Sequence, residues 1–300
     1  MYTTGPPTAA GTARLHVRAA ARRRFDPPPA IADRPGHAEH LHRYLSDLVA
    51  PYRLDLRADL ATDRTGHSYG EMADALVAEL VPEQRPIDLL VLAFTTPDVR
   101  PGRSTATYLS ERCPGKPLAF AICDQGSAAA FTGLRLIDQY ARTAGCHRSL
   151  LLVVEQATVP YDAGIPVDLP VAHTAVGLRC ELAGSAPVAA IRQHPSVSED
   201  QLGRLLAAEL AALAPDGTTP YVIADSYLAD RLAATVPADR LCIVPPGQPH
   251  TGTWWELAGQ LAPVWSGPAQ RQGPRRVVLA AYERQLGYLC LSAVDIEPAH

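Results

Sequence analysis

Lysine is nearly missing from this sequence: of its 27 basic residues only Lys116 is not an arginine. That bias reflects a GC-rich genome and carries no mechanism. An excess of positive charge is missing too. The formal net charge is -4 and the pI is near 6.2, which leaves no broad electrostatic footprint for nucleic acid or an anionic membrane. The longest apolar runs, Ile87 to Phe94 and Ser149 to Val154, fall far short of the roughly 20 residues that a membrane-spanning helix needs. The arginine cluster Arg22 to Arg24 is followed by prolines and not by an apolar stretch, so it does not read as a secretory signal. Six cysteines, Cys113, Cys123, Cys146, Cys180, Cys242 and Cys290, are scattered with no CxxC pair. Neither a metal site nor a disulfide scaffold is built on such spacing. The expectation is a cytoplasmic protein with buried reduced thiols, no bound metal or cofactor, and small molecules or proteins as partners.

What is present is a large apolar fraction, 47% of 300 residues, with 19% charged. That length fits two domains or two fused halves. Residues 1–36 are proline-rich and weakly periodic, with a strand possible at Ala13 to Ala19, and are expected to form an irregular leader. Helical spacing predicts helices at His37 to Val49 and Ser68 to Leu80, the second with Thr65 and Gly66 as its start signal. Ile87 to Phe94, Pro117 to Ile122 and Ser149 to Val154 read as strands buried on both faces. Thr174 to Leu182 and Val188 to Arg192 read as an antiparallel pair. After Ser196 the rhythm restarts: helix from Glu199, strand from Tyr221, helix from Tyr227, strand from Leu241, helix from Trp254, then strands from Arg276 and Tyr288. The expected organisation is a first α/β half over 37–195 and a second over 196–300.

The segment Cys123-Asp-Gln-Gly-Ser127 joins a predicted strand to the amphipathic stretch Phe131 to Thr143. A side chain at such an elbow stands near free backbone N–H groups and the positive end of a helix dipole. A serine before a helix also serves as an N-cap, and spacing alone does not separate the two roles. The run Leu89 to Pro97, the stretch Phe120 to Tyr140 with its Asp138-Gln-Tyr, and Ser149 to Glu155 together resemble the first half of a type III ketoacyl-ACP synthase of the thiolase superfamily. In that resemblance Ser127 stands where the family carries its nucleophilic cysteine, and Cys123 falls four residues early, as a structural thiol. Pro220 to Leu232 resembles the strand and helix that open with the family's His-Gln-Ala-Asn, but reads Ala224-Asp-Ser-Tyr227. Pro249-His-Thr-Gly252 matches the second catalytic position at His250. The family's glycine-rich turn is present only as Tyr282-Glu-Arg-Gln285 followed by Gly287.

The resemblance implies a thiolase-like fold of two similar α/β halves in αβαβα layers. It implies an acyltransferase or starter-unit-selecting ketosynthase homologue of polyketide-type metabolism, taking an acyl group from acyl-CoA or a phosphopantetheinyl acyl carrier protein. In that reading Ser127 is the nucleophile, His250 its general base and Asp225 the residue that orients the imidazole. The alternative is a non-catalytic ketosynthase partner resembling a chain-length factor. A homodimer goes with the first reading and a heterodimer with another ketosynthase goes with the second. His173 is a further histidine able to approach the site. Trp254 and Trp255 are expected in the core or at a dimer face, and Glu155 as a structural acceptor beside the elbow helix.

Overall fold

The central strands are apolar on both faces, and their alternate residues feed different cores. In β2 (Leu89–Ala93), Leu89, Val91 and Ala93 face one cluster, and Leu90 and Leu92 face another. The neighbouring β4 (Arg148–Glu155) divides the same way, with Leu151 and Val153 opposite Leu150, Leu152 and Val154. This is the period-two geometry of a strand covered on both sides. The computed structural model describes residues 14–26, 37–57, 67–82, 85–99, 104–159, 161–162, 168–214, 217–265 and 275–296.

Two five-stranded sheets result among the described residues. The first runs β1-β5-β4-β2-β3, where β1 is His16–Phe25, β3 is Leu118–Ile122 and β5 is His173–Glu181. The second runs β6-β10-β9-β7-β8, with β6 Val188–His194, β7 Tyr221–Ala224, β8 Leu241–Ile243, β9 Arg275–Glu283 and β10 Tyr288–Ile296. Strand directions repeat as well. In each sheet the first two pairings are antiparallel and the last two parallel.

Among the described residues, six helices besides α1 (His37–Val49) complete the layers. α2 (Tyr69–Leu80) and α3 (Thr105–Arg112) cover the outer face of the first sheet, contributing Met72, Leu76 and Leu109 to its outer core. α5 (Glu199–Ala212) and α6 (Ala229–Ala233) cover the outer face of the second, through Leu202, Leu206 and Leu232. Between the sheets lie α4 (Ala128–Thr143) and α7 (Gly252–Trp265), whose Phe131 and Trp254 rings meet at 4.9 Å in the largest core. α2 begins at a capping box: Ser68 Oγ accepts from the Glu71 N–H, and the Glu71 carboxylate accepts from the Ser68 N–H.

Several expectations are corrected. Residues 16–25 of the supposed leader form β1, an edge strand of the first sheet paired with β5. β5 and β6 do not pair with each other; they belong to different sheets. The seam between the sheets therefore falls between Glu181 and Val188, ahead of position 196. β3 is an edge strand, half-buried for most of its length and not enclosed on both faces. The helix expected from Tyr227 is a 3-10 turn, Ser226–Leu228, followed by the short α6. Thr65 and Gly66, and Ala13 at the start of the expected first strand, lie outside the described residues. Of the six thiols Cys113, Cys180 and Cys290 are buried, whereas Cys123 is exposed.

Candidate functional site

The elbow between β3 and α4 is bent by two left-handed residues, Asp124 at φ 59° and Gly126 at φ 51°. Aspartate tolerates that region better than most residues, and glycine has no Cβ to object. The N–H groups of Ser127, Ala128 and Ala129 at the start of the helix are taken. Ala128 donates to the Gln125 carbonyl at 3.0 Å and Ala129 to the Gly126 carbonyl at 3.2 Å. The Ser127 N–H donates to Glu283 Oε2 at 2.9 Å, and the Ser127 hydroxyl donates to the same oxygen at 3.2 Å. Ser127 holds the N-cap position of α4, but its hydroxyl makes no cap bond.

Glu283 ends β9 and reaches the elbow from the second half. Its other oxygen, Oε1, accepts from the Gln285 N–H at 3.3 Å, so both carboxylate oxygens are held. A methyl group on Gly126 would overlap this carboxylate. The lack of a side chain at 126 is thus a condition for the contact.

Asp225 stands next to this arrangement, and its carboxylate bonds to neither Ser127 nor His250. It caps the 3-10 turn after β7, with Oδ1 accepting from the Leu228 N–H at 3.1 Å and Oδ2 from the Tyr282 N–H at 2.7 Å. Burial pushes its carboxyl up to about 6, against the pull of these backbone donors. Its place in the structure is to hold the end of β9, which presents Glu283.

The imidazole of His250 is buried, and neither ring nitrogen makes a hydrogen bond of good geometry. Burial lowers it to about 4, although the nearby carbonyls of Ala93 and Gly126 favour the protonated ring. At neutral pH it is uncharged. Ser127 and His250 therefore both adjoin Gly126, but the hydroxyl bonds to Glu283 and the imidazole to neither Ser127 nor Asp225. The backbone at His250 is fixed by Glu155, at the end of β4. Glu155 Oε1 accepts from the His250 N–H at 2.9 Å, and Oε2 accepts from the Thr251 N–H at 3.1 Å and the Thr251 hydroxyl at 2.6 Å. Burial pushes the Glu155 carboxyl up to about 7 despite these three donors.

The other residues singled out from the sequence lie elsewhere. His173 forms an edge-on pair with His67 at 6.1 Å, and burial followed by His67 lowers its pKa. Cys123 lies one residue past β3, its Sγ 3.3 Å from Asp124 Oδ2. Trp254 is buried, and Trp255 lies under the guanidinium of Arg22 at 4.9 Å. A cavity of about 490 Å³ between β1, α2 and β5 is lined by Arg18, Glu79, Leu80 and Arg179, with no residue of the elbow. Among the described residues no group of three His, Cys, Asp or Glu side chains is placed to hold a metal ion, and no helix is long and apolar enough to cross a membrane.

No protein-family model matches the chain, and no curated protein matches its sequence. Solved structures do match. The tetronic acid condensing enzyme AbyA1 aligns with a TM-score of 0.62 at 15% identity, over 93% of this chain and 99% of its own. ChlB3, described as an acyltransferase, gives 0.65 at 15% identity, over 95% and 98%. The ishigamide ketosynthase/chain length factor gives 0.56 at 16% identity, over 71% and 74%. The fold is thiolase-like. In the thiolase-like frame the two sheets are the two similar halves expected from the sequence, and α4 and α7 are their paired central helices.

Glu283 is the residue that sequence reasoning passed over. It lay inside Tyr282-Glu-Arg-Gln285, noted only for the glycines it lacks. The signal that could have found it is the repeat itself: Glu155 and Glu283 each close the middle strand of a sheet.

Proposed function

We propose that the chain serves polyketide-type acyl metabolism as a ketosynthase-like subunit closed to acyl transfer, a partner of a condensing ketosynthase in the manner of a chain-length factor. One observation carries this reading: a single oxygen of Glu283 accepts both the N–H and the hydroxyl of Ser127. Acyl transfer at position 127 develops negative charge on the former carbonyl oxygen, and the N–H of the attacking residue is a natural donor to it. A carboxylate already on that N–H opposes the charge. Two further features agree. Ala224 stands where the resembled family has its first histidine, and the one histidine retained, His250, is not bonded to Ser127. The partner in this reading is a cysteine-bearing ketosynthase, which receives acyl groups from acyl carrier protein or acyl-CoA.

The contact of the Ser127 hydroxyl with a carboxylate at 3.2 Å favours a second reading. In it Ser127 accepts an acyl group from acyl-CoA or a phosphopantetheinyl acyl carrier protein within a homodimer, and Glu283, in place of His250 or Asp225, takes the hydroxyl proton. Co-expression of the chain with ketosynthases from the same genome separates the two. The partner reading expects a stable hetero-pair whose condensation products change in length or yield when this chain is left out. Isolation as a homodimer that turns over acyl donors by itself would establish the second reading instead.

A further inference from the structure

The contact between Glu283 and Ser127 is a built one. Oε2 holds the two donors of Ser127, Oε1 holds the Gln285 N–H, and Gly126 leaves open the space that a Cβ would fill. Asp225 fixes the strand end that carries Glu283, through the Tyr282 N–H at 2.7 Å. The 16-residue helix α4 directs its positive end at the carboxylate. Of the groups that hold this carboxylate, the Ser127 N–H and the positive end of α4 would serve the oxyanion of a tetrahedral adduct at position 127, whereas the hydroxyl is spent as the attacking group.

We infer that Glu283 is an internal anionic plug over a latent acyl-transfer site, and that its carboxylate keeps the elbow from being acylated even where a thiol is restored at position 127. The inference rests on the reading of the chain as a closed ketosynthase-like subunit and names what closes it. In the native chain the reaction it blocks is transfer of the acyl group to the Ser127 oxygen, with the proton of the hydroxyl leaving on the donor's thiol; in Ser127→Cys it is thioester exchange. A thiolate at 127 attacks the thioester carbonyl, the new carbon–sulfur bond forms, the donor's carbon–sulfur bond breaks, and the donor's sulfur leaves as a thiol carrying the proton given up at 127.

The test uses the full chain in four forms: native, Ser127→Cys, Glu283→Ala and Ser127→Cys with Glu283→Ala. Each is incubated with acetyl-CoA, hexanoyl-CoA and the matching acyl carrier proteins, and acyl mass is followed on the intact protein and mapped to the peptide containing position 127. Ser127→Cys alone is expected to load slowly, and the double variant on the order of a hundredfold faster, the size of effect attached to one oxyanion donor. A second readout does not depend on access for an acyl chain. The pH profile of iodoacetamide alkylation at position 127, with Cys123→Ser in every form, is expected to move to lower pH when Glu283 is replaced, because a carboxylate neighbour disfavours a thiolate. Glu283→Gln, of the same shape without the charge, should shift the alkylation profile in the same direction, and thermal unfolding confirms that each form is folded. Equal loading with and without Glu283 overturns the inference. So does the absence of loading in both backgrounds, whatever the alkylation profile does. These outcomes concern only the variants at 127 and 283, so they are independent of whether the native chain pairs with a ketosynthase.

Discussion

Glu155 and Glu283 occupy matching places in the two halves, and the difference between them lies in their surroundings. Each ends the middle strand of its sheet, and each crosses to the N-terminal end of the helix belonging to the other half. Each accepts the N–H and the hydroxyl of one residue, Thr251 for Glu155 and Ser127 for Glu283, through a single oxygen. Glu155 and Thr251 are 1% and 0% exposed, and Thr174 and Gln248 close around them at 2.7 and 3.0 Å from the Thr251 hydroxyl. Glu283 and Ser127 are half-buried. One arrangement is a buried clasp that ties the halves together; the other has the same bonds at a place that solvent reaches. The buried copy shows that such a contact needs no catalytic purpose, which is why the half-buried copy supports a closed elbow.

The largest effect that would sharpen this contrast comes from removing each carboxylate in turn. Glu155→Ala leaves three buried donors unpaired and should cost about 3 to 5 kcal/mol in urea unfolding, whereas Glu283→Ala should cost about 1 kcal/mol or less, since water replaces the lost acceptor. Similar costs for the two would break the comparison.

Next in size is a dependence on pH that belongs to the buried side. The folded Glu155 carboxyl, at about 7, lies above its ordinary 4.5, so the native state keeps this proton longer than the unfolded chain and loses stability as pH rises from 4.5 to 7. His250 acts oppositely: its folded value of about 4 lies below the ordinary 6.5, so stability falls as pH drops through that window. Glu155→Gln removes the first effect and keeps the second. From pH 5 to pH 8 the difference in unfolding free energy should move in the variant's favour by up to about 3 kcal/mol, and a difference that stays flat would contradict the burial of the charge.

The smallest effect concerns Gly126. Gly126→Ala should cost about 1 to 2 kcal/mol for a left-handed alanine, with an added part from displacing Glu283. In a double-mutant cycle with Glu283→Ala only the backbone part should remain. Strict additivity would mean that Gly126 does not make room for the carboxylate.

The fold was largely legible because its central strands are unbroken apolar runs and its rhythm restarts after Ser196. β2, β4, β9 and β10 need no partner to be recognised. β1 was obscured by its own composition: the sequence HVRAAARRRF has few β-formers, and it is a strand because β5 pairs with it along nearly its whole length. The relation of β5 to β6 was misread because adjacent strands usually pair, whereas here the chain leaves one sheet for the other. At the site, Gly126, Ser127 and His250 were all noticed as parts of a pattern, and Ser127 and His250 each adjoin Gly126. Their hydrogen bonds were not visible, because Glu283 lies 156 residues from Ser127 and no local rule connects them. Asp225 was expected to orient the His250 imidazole, but its oxygens go to the backbone, as an aspartate before a tight turn commonly directs them.

The claim that the elbow is closed is tested most directly by the intact mass of the native chain after incubation with acyl-CoA and acyl-carrier donors at neutral pH. The account predicts no change in mass. A gain of one acyl group that disappears in Ser127→Ala would contradict it.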